Sequence, residues 1–237
     1  MKTSLFCLAS LLALNLTSAK ADVLADWTFQ SALSTNNIIG SGLTPSGTQS
    51  GIQADIGTGT ASASHATTTS AWSIPAGNGS TNSWSVNNWS ANDYFQFQVS
   101  TLTFQNINIS FDQTSSGTGP RDFGLFYSTD GTTFTQFGAN YTILPNGTAP
   151  NAAWNATTGS PAYSYSFDLS SITALNNSTA DYFRLVDQST VSANGGTVGT
   201  GGTDRVDNFT VSTVPEPATL ALTGMGLMAL FALRRKI

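Results

Sequence analysis

The 237-residue chain has one cysteine, one histidine, one glutamate, and no lysine between Lys20 and Lys236. Each shortage excludes a chemistry. Cys7 alone gives no internal disulfide, and one histidine without further cysteines cannot supply a zinc ligand set. His65 stands among small and hydroxyl residues (Ser62-Ala63-Ser64-His65-Ala66-Thr67) and reads as a solvated loop histidine rather than a base oriented by a partner. With Glu216 close to the C-terminus, only aspartates remain for paired-carboxylate glycoside hydrolysis, and no stretch brings two of them together. The expectation is a protein without catalytic residues.

Positive charge is scarce where the chain would fold. Lys2, Lys20, Arg234, Arg235 and Lys236 lie near the two ends, leaving Arg121, Arg184 and Arg205 against thirteen acids. Without residues 1–21 and 218–237 the formal charge is 3 − 13 = −10. Nucleic acid is excluded as a partner, because phosphate binding requires basic groups. Twelve of the acids are Asp, and Ser, Thr, Asn and Gly dominate, a composition of strands and side-chain-capped turns rather than helices.

What is present alternates. Val23–Phe29 reads as a first strand, residues 30–70 as loops with one or two short strands, and Trp72–Trp89 as a polar segment with three tryptophans. Tyr94–Val99 places Tyr94-Phe95-Gln96-Phe97-Gln98-Val99 at period two; Leu102–Phe111 does the same with a parity change at Asn106 that suggests a bulge. Phe123–Ser128 and Phe134–Phe137 flank Asp130-Gly131, a hairpin signal. Tyr163–Leu169, Tyr182–Val186 and Val206–Val211 complete the strands; Ser170–Leu175 reads as one helical turn and Ser192–Thr203 as a loop. At least seven turn-separated strands predict an all-β fold, an antiparallel jelly-roll-like β-sandwich over residues 22–213.

The ends differ. Residues 1–21 read as a signal peptide, with Lys2, an apolar Leu5–Leu16 run and an A-x-A cleavage site at Ala19 and Ala21. At the other end, Ala218–Leu233 is sixteen residues without charge, followed by Arg234-Arg235-Lys236. As a transmembrane helix over 218–233 it would span about 24 Å, somewhat short of a hydrocarbon core, with the basic cluster left on the cytoplasmic side. Pro215 and Pro217 mark where the extended chain meets that helix.

Pro215-Glu216-Pro217, a short apolar helix and the terminal Arg234, Arg235 and Lys236 resemble the PEP-CTERM sorting signal of exported bacterial proteins. The resemblance implies a sorting tail over 214–237 that anchors the chain transiently at the inner membrane until exosortase recognises it. A weaker resemblance, over residues 92–213, is to a β-sandwich domain of such proteins and, in outline, to jelly-roll carbohydrate-binding modules. It implies a structural calcium at Asp207, helped by the Asp26 region, with Asp204 as a further neighbour. Trp84, Trp89 and Trp154, in polar surroundings, are candidates for stacking on sugars, against core packing as the ordinary use of tryptophan. Arg121, Arg184 and Arg205 are each expected to pair with carboxylates, Arg184 with a partly buried Asp. The resulting expectation is an exported, non-enzymatic cell-surface or matrix protein associated with exopolysaccharide; the alternative is a calcium-stabilised carbohydrate-binding module, and the third reading a secreted glycoside hydrolase-like enzyme.

Overall fold

The computed structural model describes residues 21–30 and 48–214, and Asp22–Val214 forms one compact unit. The signal segment with its cleavage site, the sorting tail and the helix expected over 218–233 lie outside the described residues, Ala21 and Val214 excepted. Among the described residues no helix is long and apolar enough to cross a membrane.

Thirteen strands appear among the described residues. In the first half they are β1 (Val23–Trp27), β2 (Thr48–Gln53), β3 (Ile56–Gly57), β4 (Gly59–Ser64), β5 (Trp72–Ser73), β6 (Trp84–Asn87) and β7 (Tyr94–Val99). The second half adds β8 (Ile107–Ser115), β9 (Asp122–Ser128), β10 (Thr135–Thr142), β11 (Ser164–Asp168), β12 (Asp181–Asp187) and β13 (Thr203–Thr213). One sheet runs β11-β8-β13-β1-β3, with β6 also on β13 and β5 on β6; the other runs β10-β9-β12-β7-β4-β2. From β7 to β13 the chain passes repeatedly between the two sheets, and every ladder is antiparallel. The expected antiparallel sandwich is the observed fold.

Alternation explains the layering. On β7, Phe95, Phe97 and Val99 are buried, and on β12 Phe183 and Leu185 are buried. Phe97 of one sheet stacks flat on Phe209 of the other, with centroids 3.5 Å apart, and meets Trp27 edge-on at 5.2 Å. Such aromatic pairs are worth about 0.5–1.5 kcal/mol each beyond the area they bury.

Local readings need four adjustments. Strand β1 ends at Trp27, because Phe29 adopts φ 57° and turns the chain. The parity change at Asn106 is a turn rather than a bulge: Thr103 and Asn106 have positive φ, and β8 starts only at Ile107. Register slips lie elsewhere, among them one on β13 between Asp207 and Thr210, where Asn208 takes φ 50°. Residues 48–64 hold three strands where one or two were expected.

Candidate ligand-binding face

The residues between the buried positions of the six-stranded sheet point to its outer surface. They are Tyr94, Gln96 and Gln98 on β7, Tyr182 and Arg184 on β12, and Phe126 on β9, all half-buried. Register brings them together: Arg184 lies opposite Gln96 on one side and Phe126 on the other, and Tyr182 opposite Gln98 and Ser128.

Arg184 is the centre of this face. Its guanidinium carbon sits 3.9 Å from the centroid of Tyr94 and 3.5 Å from that of Phe134, so the flat cation is held between two rings. Nε donates to Gln96 Oε1 at 2.7 Å, and Gln96 Nε2 donates to Ser62 Oγ at 3.2 Å. Burial lowers the Arg184 pKa, while Tyr94 works in the opposite direction. Arg184 therefore does not bridge a buried aspartate as expected; among the described residues it has no ion pair. Arg121 does pair, with Asp122 at 2.8 Å.

The hairpin after β9 supplies Phe134. Asp130 Oδ1 accepts hydrogen bonds from the amides of Thr132 and Thr133 and from Ser128 Oγ, which holds its carboxyl below the usual range. Gly131 has φ +71°, and a Cβ there would lie 2.9 Å from the Tyr182 ring. Both facts demand glycine. Gly131→Ala is expected to cost about 1–2 kcal/mol through αL strain and to shift the Tyr182 ring, read as a melting drop of a few degrees together with altered Tyr182 fluorescence or NMR shifts.

The tryptophan expectations are corrected. Trp84 is fully buried against Phe29, Trp72 and Phe95. Trp89, 5% exposed, donates to the Val86 carbonyl and packs on His65, Phe95 and Phe123. Trp154, 6% exposed, meets Tyr163 edge-on and stacks over the Arg205 guanidinium at 4.9 Å. Their areas are used within the fold, and no ring face is left for a sugar.

His65 is also not the solvated residue expected. It is buried between Trp72 and Trp89, and burial pushes its pKa down to about 3. Its Nδ1 lies 3.2 Å from Ser70 Oγ and 3.4 Å from Asp93 Oδ2. A Ser-His-Asp relay needs serine and aspartate on opposite ring nitrogens. Here both contacts fall on one nitrogen, Nε2 has no hydrogen bond among the described residues, and Ser70 is itself buried. The grouping is structural.

The two candidate calcium ligands are separated. Asp26 lies opposite Thr210, and Asp207 stands three residues earlier on β13, on the other side of its bulge. Asp26 Oδ1 accepts from Thr210 Oγ1. Asp207 Oδ2 accepts from Ser80 Oγ at 2.6 Å and the Asn78 amide at 2.9 Å, and Oδ1 accepts from the Asn208 amide. Asp204 is fully buried against Gln113 and Ser115. Among the described residues no three His, Cys, Asp or Glu side chains are grouped to hold a metal.

The family model of the PEP-CTERM protein-sorting motif matches residues 213–236. No curated protein matches the chain. Similar solved structures include TmCBM27, a carbohydrate-binding module of specific mannan recognition, at 10% identity over 83% of this chain and 99% of that one, TM-score 0.42. The K1 cleaved adhesin domain of Lys-gingipain from Porphyromonas gingivalis W83 shares 11% identity over 61% and 83%, TM-score 0.36. The xyloglucanase domain of NopAA, an effector of Sinorhizobium fredii, shares 11% over 73% and 99%, TM-score 0.36. Likeness of this degree carries no function across, so the activity has to be argued from this chain's own residues. The C-terminal tail itself is a PEP-CTERM protein-sorting motif, which marks the chain for export with C-terminal membrane anchoring before processing.

Proposed function

We propose that this is a non-enzymatic exported protein that binds extracellular polysaccharide through the outer face of its six-stranded sheet, at the cell surface or in the matrix, after exosortase has acted on its tail. One observation carries the reading: the row Tyr94, Gln96, Gln98 beside Tyr182 and Arg184, with the guanidinium locked between two rings. The flat ring faces receive the apolar C–H face of a pyranose, while the side-chain amides and the guanidinium nitrogens pair with its hydroxyls. Arg184 is fixed before a ligand arrives, which lowers the ordering cost of binding. Among the described residues this face holds no pair of carboxylates and no base-activated nucleophile, and that is the basis for a binder rather than a hydrolase.

The test is affinity electrophoresis of the detergent-solubilised full-length chain in the exopolysaccharide of the producing cells. Arg184→Ala and Tyr182→Ala are each expected to weaken retardation by about tenfold, or 1.4 kcal/mol. Equal retardation of wild type and both variants, or none at all, contradicts the reading.

Calcium is not required in this proposal, because hydroxyl and amide donors already occupy the Asp26 and Asp207 carboxylates. Chelator is expected to leave the melting temperature unchanged within about 1 °C, where loss of a tightly bound ion would lower it by several degrees.

A further inference from the structure

A second recess opens beside the other sheet. Its wall is a cross-strand row in which Ser73 of β5 faces Ser85 of β6 and Ser85 faces Arg205 of β13, with Thr203 two residues before Arg205. The loop residues Pro75, Ser116 and Asn146 close it to a pocket of about 250 Å³. That is smaller than the roughly 300–1,000 Å³ of drug-sized sites and suits one pyranose ring rather than a stretch of polymer.

The polar groups are specific in kind. Among the described residues Arg205 is the single charged residue of the lining, and no carboxylate lines the pocket. Its guanidinium is positioned by Trp154, 4.9 Å away, and by a hydrogen bond from Nη1 to the Ala76 carbonyl at 3.0 Å. Among the described residues Arg205 has no ion pair. The neighbouring carboxyls, Asp204 and Asp207, are buried and turned to other partners: Gln113 and Ser115 for the first, Ser80 and the amides of Asn78 and Asn208 for the second. Ser116 Oγ accepts from the Thr203 amide and keeps its own hydrogen for a ligand. Asn146 Oδ1 accepts from the Trp154 amide, which leaves the carboxamide hydrogens as donors.

A positioned guanidinium ringed by hydroxyls and an amide, in a chain otherwise strongly acidic, selects a small polyol that bears a carboxylate. We propose that this pocket binds a single hexuronate residue, its carboxylate on Arg205 and its hydroxyls on Ser73, Ser116, Thr203 and Asn146. The ring's apolar face would rest on Pro75. The site is separate from the six-stranded face and stands or falls independently of it.

Calorimetric titration of the detergent-solubilised full-length chain with sodium D-glucuronate, D-glucose and sodium acetate tests the assignment. Glucuronate is expected to bind at least about tenfold more tightly than either of the others, and more weakly as salt rises, because the contact is charge-assisted. Arg205→Gln should reduce glucuronate to the level of glucose. Ser73→Phe, which fills the recess from a half-buried position without touching Arg205's support, should remove binding even where Arg205→Gln fails to fold. Arg184→Ala, on the other sheet, should leave it intact. Absence of glucuronate binding, equal affinity for glucose, equal affinity for acetate (a simple anion site), or binding that survives Ser73→Phe would each overturn the proposal.

Discussion

Phe97→Ala is expected to lower the melting temperature by about 6–20 °C, more than any surface change in this molecule. Phe97 is fully buried, stacks at 3.5 Å with Phe209 of the facing sheet and touches Trp27 and Trp84 edge-on. Truncating a core Phe costs roughly 3–5 kcal/mol as lost transfer energy plus the cavity left behind. At about 2–4 °C per kcal/mol for a domain of this size, the stated range follows. Phe97→Leu keeps most of the volume and should lose less than half as much. A fall below about 2 °C for Phe97→Ala would mean that the two sheets do not share the core described.

The second large effect concerns pH. Asp187 is fully buried at the end of β12; Oδ1 accepts from the Ser189 amide, whereas Oδ2 has no hydrogen bond among the described residues. Burial pushes its pKa up to about 7, with Asp93 and Asp122 adding like charge. Asp204 is shifted the same way by burial, and its geometry agrees. Ser115 Oγ lies 2.6 Å from the Pro120 carbonyl oxygen and 2.8 Å from Asp204 Oδ2. One hydroxyl hydrogen cannot serve both acceptors in full, and a proton on Asp204 satisfies both. A carboxyl whose folded pKa exceeds its unfolded value contributes stability that is complete below the unfolded pKa and is lost as pH rises through the folded one. For Asp187 the window runs from about pH 4 to about pH 7, and a shift of that size corresponds to roughly 4 kcal/mol at most. Asp187 is therefore expected to contribute about 2 kcal/mol more to urea stability at pH 5 than at pH 7.5, and buried His65, whose lowered pKa acts in the opposite direction over the same range, offsets part of this in the wild type. Asp187→Asn should flatten that slope by close to one proton. The same pH dependence in wild type and Asp187→Asn between pH 5 and pH 7.5 would refute the assignment.

Much of this architecture was legible in period-two alternation, and the limits of that signal are specific. Tyr94–Val99 and Tyr182–Val186 showed two sets of side chains each, and the larger apolar set proved to be the core. The complementary set, Tyr94, Gln96, Gln98, Tyr182 and Arg184, is the candidate face. Its parity was visible, but the register that lays Arg184 against Gln96 joins residues 88 positions apart, and no local pattern encodes it. For the same reason Arg184 was expected to meet an aspartate and instead meets two rings. The tryptophans follow the ordinary use weighed against sugar stacking, core packing, although their polar neighbours kept the stacking reading open. Short strands such as β5 and β6 place single aromatics inward while the flanking Ser and Asn bond to nearby loops, as Ser83 does with the Pro75 carbonyl. His65 is buried by Trp72 and Trp89 from the segment that follows it, a tertiary effect that its small neighbours do not announce. The sorting tail, by contrast, is a linear motif and was readable in full.

The most direct test of the binding face is amide chemical-shift mapping of the protein with oligosaccharides cut from the producing cells' exopolysaccharide. Saturable shifts concentrated in Tyr94–Val99, Asp181–Asp187 and the Thr129–Phe134 turn are the predicted result. Saturable shifts confined to other strands, or no shifts with a polysaccharide that the protein demonstrably retains, would contradict it.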